Sequence, residues 1–269
     1  MEHALGKWPK LKEIIKTASS ILLLLDLDGT LSPIIERPEL TKIDGSIAAA
    51  LKDLLAHPKI TLGIISGRSI ENLRMLMPPS LGRIILAGNH GLEISIGGNH
   101  FVHPAALQSR SILRRTGEKL KKRFSDFSGV IVEDKGLTLS LHYRLAEPQR
   151  VPEIKNIFKE VTEPLVKDGR IRIRKCKKVL EVRPPVSWDK GKAVEWIAQV
   201  LKVSNALPIY AGDDATDEDV FRILKGRGIS IYVGRPRGSS AAKYYLENVE
   251  QVRAFLRRLR SALSNGQEG

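Results

Sequence analysis

The chain has 269 residues, 42% hydrophobic and 28% charged, which is ordinary globular usage and excludes a disordered, collagen-like or coiled-coil chain. At typical domain sizes that length holds one large domain or two modest ones, and the lone cysteine, Cys176, excludes an internal disulfide and a multi-thiolate zinc site. Lys and Arg (44) exceed Asp and Glu (30) by +14, which attracts polyanions, but aromatics at 5% leave few stacking platforms for nucleic-acid strands.

The basic residues are dispersed over 114–123, 170–178 and 253–260, and no zinc-finger spacing or ribonucleoprotein motif accompanies them. Solvated basic faces with a preference for small anionic substrates are therefore expected, and no nucleic-acid partner. Residues 1–16 are charged throughout and lack the apolar centre of a secretory signal. In that segment Trp8, Leu11, Ile14 and Ile15 suit either a packed helix or a partner surface. The longest apolar run, 21–25 (ILLLL), is far short of the ~20 residues of a membrane-spanning helix. A soluble, cytoplasmic protein with no membrane partner is the expectation.

Runs at 21–25, 60–65 (ITLGII), 83–87 (RIILA), 207–211 (LPIYA) and 229–233 (ISIYV) are too short and too continuous for surface helices, and predict buried strands. Helical stripes alternate with them: Ile47, Leu51, Leu54, Leu55; then Ile70, Leu73, Met77; then Val194, Ile197, Ala198, Leu201; and finally Val252, Phe255, Leu256, Leu259, Leu263. Strand–helix alternation implies crossovers and a mostly parallel, Rossmann-like α/β sheet covered on both faces. Between about 104 and 178 the order changes to helix, two strands, helix, two strands, with Asp134-Lys135-Gly136 as a hairpin turn. This predicts an inserted α+β domain, 104–178, within a discontinuous core of 1–103 and 179–269.

The first strand ends in Asp26-Leu27-Asp28-Gly29-Thr30. Ligands bind beyond the carboxyl ends of parallel strands, and two carboxylates two residues apart on extended chain project to one side. Such a pair allows one ionised nucleophile and one acid–base group. Ser66 and Arg68 follow the second strand and suit phosphate or sugar recognition, although Ser66 or Ser69 also suits a helix cap. The third strand leads into Gly88-Asn89-His90-Gly91-Leu92-Glu93, which is either a polar loop facing a ligand or an ordinary turn. Lys190 precedes a helix and suits a phosphoryl-binding point charge. After Tyr210-Ala211-Gly212, five acidic residues fall within seven positions. Asp217, Glu218 and Asp219 can favour a helix N-terminus with Thr216 as its cap, whereas Asp213 and Asp214 call for a hard dication such as Mg²⁺.

D-L-D-G-T, S-G-R, W-D-K-G-K and G-D-D-x-T-D-E-D in this order resemble haloacid dehalogenase-type phosphatases with a mobile cap. With G-N-H-G-L-E and E-V-R-P, the combination over about 22–233 is similar to the trehalose-6-phosphate phosphatase family. The resemblance implies that Asp26 forms a phosphoaspartyl intermediate and that Asp28 protonates the leaving sugar, then activates water. It implies Mg²⁺ held by Asp26, the Asp28 carbonyl, Asp213 and Asp214, with Ser66 and Lys190 on the phosphoryl oxygens. Arg68, His90, Glu133, Lys135 and Glu181 are implied to contact the sugar. The implied substrate is trehalose 6-phosphate, with a trehalose-6-phosphate synthase as a candidate protein partner. The alternatives are a phosphatase for a sucrose- or mannosylglycerate-type ester, or a non-catalytic sugar-phosphate sensor.

Overall fold

The computed structural model describes residues 1–35, 37–176 and 178–264, so Lys177 of the basic stretch 170–178 lies outside the described residues. The chain forms two compact units: residues 1–100 with 188–269, and residues 101–187.

The larger unit is built on a nine-stranded sheet. Its strands are β1 (Glu2–His3), β2 (Ile21–Leu25), β3 (Ile60–Ile65), β4 (Ile85–Gly88), β5 (Glu93–Ile96), β6 (Asn99–Val102), β11 (Leu207–Gly212), β12 (Ile229–Val233) and β13 (Tyr244–Leu246). The order is β1-β13-β12-β11-β2-β3-β4-β5-β6, parallel from β1 through β4 and antiparallel between β4 and β5. From β2 the chain proceeds outward through β3 and β4, and after returning at β11 it proceeds the other way through β12 and β13. The β2/β11 pair is therefore the topological switch point, where a doubly wound sheet opens its ligand crevice.

The continuous apolar character of β2 follows from burial on both faces. Ile21, Leu23 and Leu25 join one cluster with Leu11, Ile15, Leu51, Phe255 and Leu259, while Leu22 and Leu24 are equally buried and alternate to the other side. That cluster is supplied by α1 (Trp8–Thr17), α2 (Gly45–Leu55), α3 (Ile70–Leu76) and α8 (Val249–Ser264). Trp8 meets Phe255 edge-on at 5.9 Å, so the N-terminal segment is a packed helix. The remaining helices of this unit, α6 (Lys190–Val200) and α7 (Glu218–Ile223), lie beside each other. Each large aliphatic side chain buried this completely contributes about 1.5–3 kcal/mol.

The smaller unit carries an antiparallel sheet of order β7-β8-β10-β9, made of β7 (Ile131–Asp134), β8 (Leu139–His142), β9 (Arg172–Cys176) and β10 (Val179–Arg183). Its helices α4 (Pro104–Arg123) and α5 (Val151–Lys167) bury Leu113, Leu120, Ile154 and Phe158 against Leu139, Leu141 and Leu180. This unit ends at Ser187, not at the expected 178, because β10 pairs with β8 and β9 and leaves Leu180 and Val182 in the small core. The runs read from the sequence do not include β1, β5, β6 or β13, which are only 2, 4, 4 and 3 residues long. Among the described residues, no helix is long and apolar enough to cross a membrane.

Candidate active site

Leu27 enters the core at 0% exposure, so Asp26 and Asp28 leave the end of β2 together on the other side of the chain. Gly29 turns the backbone at φ +86°, and a Cβ there would lie 2.2 Å from Asp213 Oδ2. Both the dihedral and the space demand glycine. From the adjacent β11, Gly212 is similarly pressed: its Cβ would meet Asp217 Cγ at 2.2 Å. These two close approaches bring the ends of β2 and β11 to one point.

Lys190 opens α6, whose N-terminus is capped by Asp189 accepting from Lys192 N at 2.9 Å. Its buried ammonium donates to Asp26 Oδ1 and to Asp217 Oδ1, each at 2.7 Å. Asp217 also accepts from Tyr210 Oη at 2.6 Å and, through Oδ2, from Asp214 N at 2.9 Å. The sequence assigned Asp217 to the α7 N-terminus with Thr216 as cap. Instead Asp217 occupies the cap position, makes no capping bond there, and turns inward. The signal available in the sequence was the crowding itself, since a six-residue helix does not require so many carboxylates.

Asp26, Asp213 and Asp217 place one carboxylate oxygen each within 4.8 Å of one another. Burial pushes Asp26 well above the usual carboxylate range, opposed by Lys190 and reinforced by Asp217 and Asp213. Asp213 is pushed up to about 8, first by burial and then by the charges of Asp217 and Asp214. Burial alone would lower Lys190, but Asp217 and Asp26 outweigh it and hold the ammonium charged. One ammonium thus faces three carboxylates, an all-oxygen anionic set of the kind that suits a hard divalent cation such as Mg²⁺ and not zinc. Of the other expected ligands, Asp214 turns its carboxylate to Ala215 N at 2.5 Å; Asp28 was expected to offer its backbone carbonyl, and its carboxylate is engaged by Arg68.

Ser66 follows β3 and is almost fully buried, its Oγ accepting from Arg68 N at 3.2 Å, which occupies a lone pair and not the hydroxyl proton. Ser69, not Ser66, caps α3 through Asn72 N at 3.2 Å. Arg68 donates to both carboxylate oxygens of Asp28 at 2.7 Å, to Thr41 Oγ1 at 2.7 Å and to Asn72 Oδ1 at 2.8 Å. The 88–93 loop is anchored by Glu93, whose Oε1 accepts from Asn89 Nδ2 at 2.7 Å and Ile70 N at 2.9 Å, and by Trp188 Nε1 donating to Gly91 O at 2.8 Å. His90 is held at φ +58°, with its ring against Gly67.

In the smaller unit, cross-strand pairing sets Glu133, Ser140, Glu181 and Arg174 in one row across the sheet. Lys135 Nζ lies 3.9 Å from Glu133 and 3.8 Å from Glu181. His142 Nε2 is 2.8 Å from Glu133, and Arg183 Nε donates to Glu181 at 2.5 Å. The three expected sugar contacts of this unit therefore form one polar cluster.

A family model described as trehalose-phosphatase matches residues 24–250. The chain belongs to the trehalose-phosphatase family. It is 32% identical over 263 residues to trehalose-phosphate phosphatase B of Arabidopsis thaliana, covering 92% of this chain and 68% of that protein. It is 34% identical over 246 residues to the trehalose-phosphate phosphatase of Mycobacterium marinum, covering 89% and 61%. The solved C-terminal domain of C. albicans trehalose-6-phosphate phosphatase matches with a TM-score of 0.82 at 26% identity, covering 97% and 99%. This trehalose-phosphatase family member is an enzyme of the phosphoric monoester hydrolase class, on a haloacid dehalogenase-like fold. Thr41 and Asn72, which hold Arg68, belong to no motif in the sequence, while Asp217 and Glu93 are read there only as helix-end charge and as part of a loop.

Proposed function

We propose that the protein hydrolyses trehalose 6-phosphate to trehalose and inorganic phosphate, dependent on Mg²⁺ and through a phosphoaspartyl intermediate at Asp26. The observation that carries the chemistry is the buried Asp26 carboxylate, tied by one oxygen to Lys190 at 2.7 Å, with Asp28 two residues further along the chain. The substrate follows from the named activities of relatives at 32–34% identity.

Phosphate monoesters hydrolyse so slowly unaided that the site must lower the barrier by roughly 20 kcal/mol. Most of this must come from alignment and charge neutralisation. A carboxylate oxygen of Asp26 attacks phosphorus, the bond from phosphorus to the sugar oxygen breaks, and Asp28 gives that oxygen its proton. Asp28 then takes a proton from water, the water oxygen attacks phosphorus, and the bond from Asp26 to phosphorus breaks. Phosphate leaves, with Asp26 ionised and Asp28 protonated as at the start. Lys190 opposes the effect of burial on Asp26 and so favours its ionised form, and the Ser66 hydroxyl donates to a phosphoryl oxygen. Asp26, Asp213 and Asp217 would hold the Mg²⁺, together with the Asp28 carbonyl, and Asp214 is near enough in sequence to bind its water shell. When bound, the ion offsets the excess negative charge of carboxylates and phosphoryl group.

The smaller unit serves sugar recognition, with Glu133, Lys135 and Glu181 bonding to hydroxyls. Their support is chemical: alternating anionic and cationic groups on one sheet face offer the donors and acceptors that a polyol needs. The single cysteine fits a reducing cytoplasm. Phosphate release from purified protein given trehalose 6-phosphate, sucrose 6-phosphate and mannosylglycerate phosphate, each with and without Mg²⁺, tests the reading. Strong preference for the trehalose ester supports it; comparable turnover of all three removes the substrate assignment.

A further inference from the structure

Arg68 was expected to contact the sugar, but its surroundings point elsewhere. The guanidinium side chain is 10% exposed, and Nε and Nη2 grip Oδ2 and Oδ1 of Asp28 in a two-bond fork, both at 2.7 Å. The same Nη2 donates to Thr41 Oγ1 at 2.7 Å, and Nη1 donates to Asn72 Oδ1 at 2.8 Å. At least four of its five N–H donors therefore bind protein acceptors, from the end of β2, the chain before α2, and α3. A planar fork braced on two further sides fixes both the direction and the rotation of the carboxylate it holds.

We infer that Arg68 is a positioning residue for the acid–base carboxylate of Asp28, and not a contact for the sugar. The Asp28 side chain is 38% exposed, so without the fork it would rotate on an open turn. Each carboxylate oxygen has two lone-pair directions, and the fork occupies one on each. The other direction on each oxygen remains for the proton that Asp28 gives to the leaving oxygen. Thr41 and Asn72 act at one remove, by holding the guanidinium. This inference rests on the reading of Asp28 as general acid.

Leaving-group dependence separates the roles. kcat/KM reports phosphoryl transfer to Asp26. That step needs a proton for an alkyl sugar ester such as trehalose 6-phosphate, and little or none for p-nitrophenyl phosphate. Asp28→Asn is the reference and is expected to lose about 10²–10⁴-fold on the sugar ester and much less on the aryl ester. Arg68→Gln is expected to show the same selective loss, expressed in kcat with KM for the sugar ester little changed. Arg68→Lys should fail to restore it, since a point charge cannot form the fork. Thr41→Val, which leaves the Asp28 pair in place, should lose less in the same direction and guards against misfolding of the Arg68 variants. A raised KM for the sugar ester with kcat intact would make Arg68 a sugar contact and overturn the inference. Equal losses in kcat/KM on both esters beside a selective Asp28→Asn would reduce Arg68 to a structural role and also overturn it. Should Asp28→Asn itself lose both activities equally, the acid assignment falls and the inference with it.

Discussion

Asp217 and Lys190 meet at 2.7 Å with side-chain exposures of 0% and 2%. The charge on Lys190 is therefore set by two carboxylates, those of Asp26 and Asp217.

Asp217→Ala is expected to lower unfolding stability by about 1–3 kcal/mol, because Tyr210 Oη and Lys190 Nζ lose their shared acceptor while Lys190 keeps Asp26. Turnover should fall as well, since Lys190 is then fixed only through Asp26. Denaturant midpoints and phosphate release on the same preparation check both. A variant with wild-type stability and activity would refute the role given to Asp217.

Gly29→Ala places a methyl group 2.2 Å from Asp213 Oδ2 on a backbone at φ +86°. Asp213 must move, and a displacement of about 1 Å at a reacting centre can cost on the order of 100-fold in rate. Phosphate-release assays should show at least that loss. Activity within a few-fold of wild type would mean that Asp213 does not need its place beside the Gly29 turn.

Chelation should stop turnover and Mg²⁺ should restore it. Binding to the folded state alone stabilises by about 2.7 kcal/mol at a hundredfold excess over Kd, so Mg²⁺ should also raise Tm. Asp213→Asn should lose most of that rise. A Tm response unchanged in the variant would contradict the carboxylate set.

Much of the fold is legible because its signals are local. ILLLL can hardly be other than a doubly covered strand, and its carboxyl end marks Asp26 without further help. The inserted unit shows as a change from helix-separated strands to a hairpin around Asp134-Lys135-Gly136. Its far boundary is harder, since β10 looks like any core strand until its pairing with β8 and β9 is seen. The site is legible as residue types but not as partnerships. Arg68 and Asp28 are 40 positions apart, and Lys190 and Asp26 are 164 apart. No periodicity reports such pairings. Asp217 was hidden by its neighbours: among Glu218 and Asp219 a carboxylate reads as helix-capping charge, and only its inward turn distinguishes it.

The central claim is that Asp26 takes the phosphoryl group. Acid-quenching the enzyme during turnover of trehalose 6-phosphate and mapping the phosphorylated peptide by mass spectrometry tests this directly. A phosphoryl group on Asp26, absent in Asp26→Asn and discharged as phosphate on the timescale of turnover, is the predicted result. A phosphoryl group on another residue, or full turnover with no phosphoenzyme formed, would contradict the account.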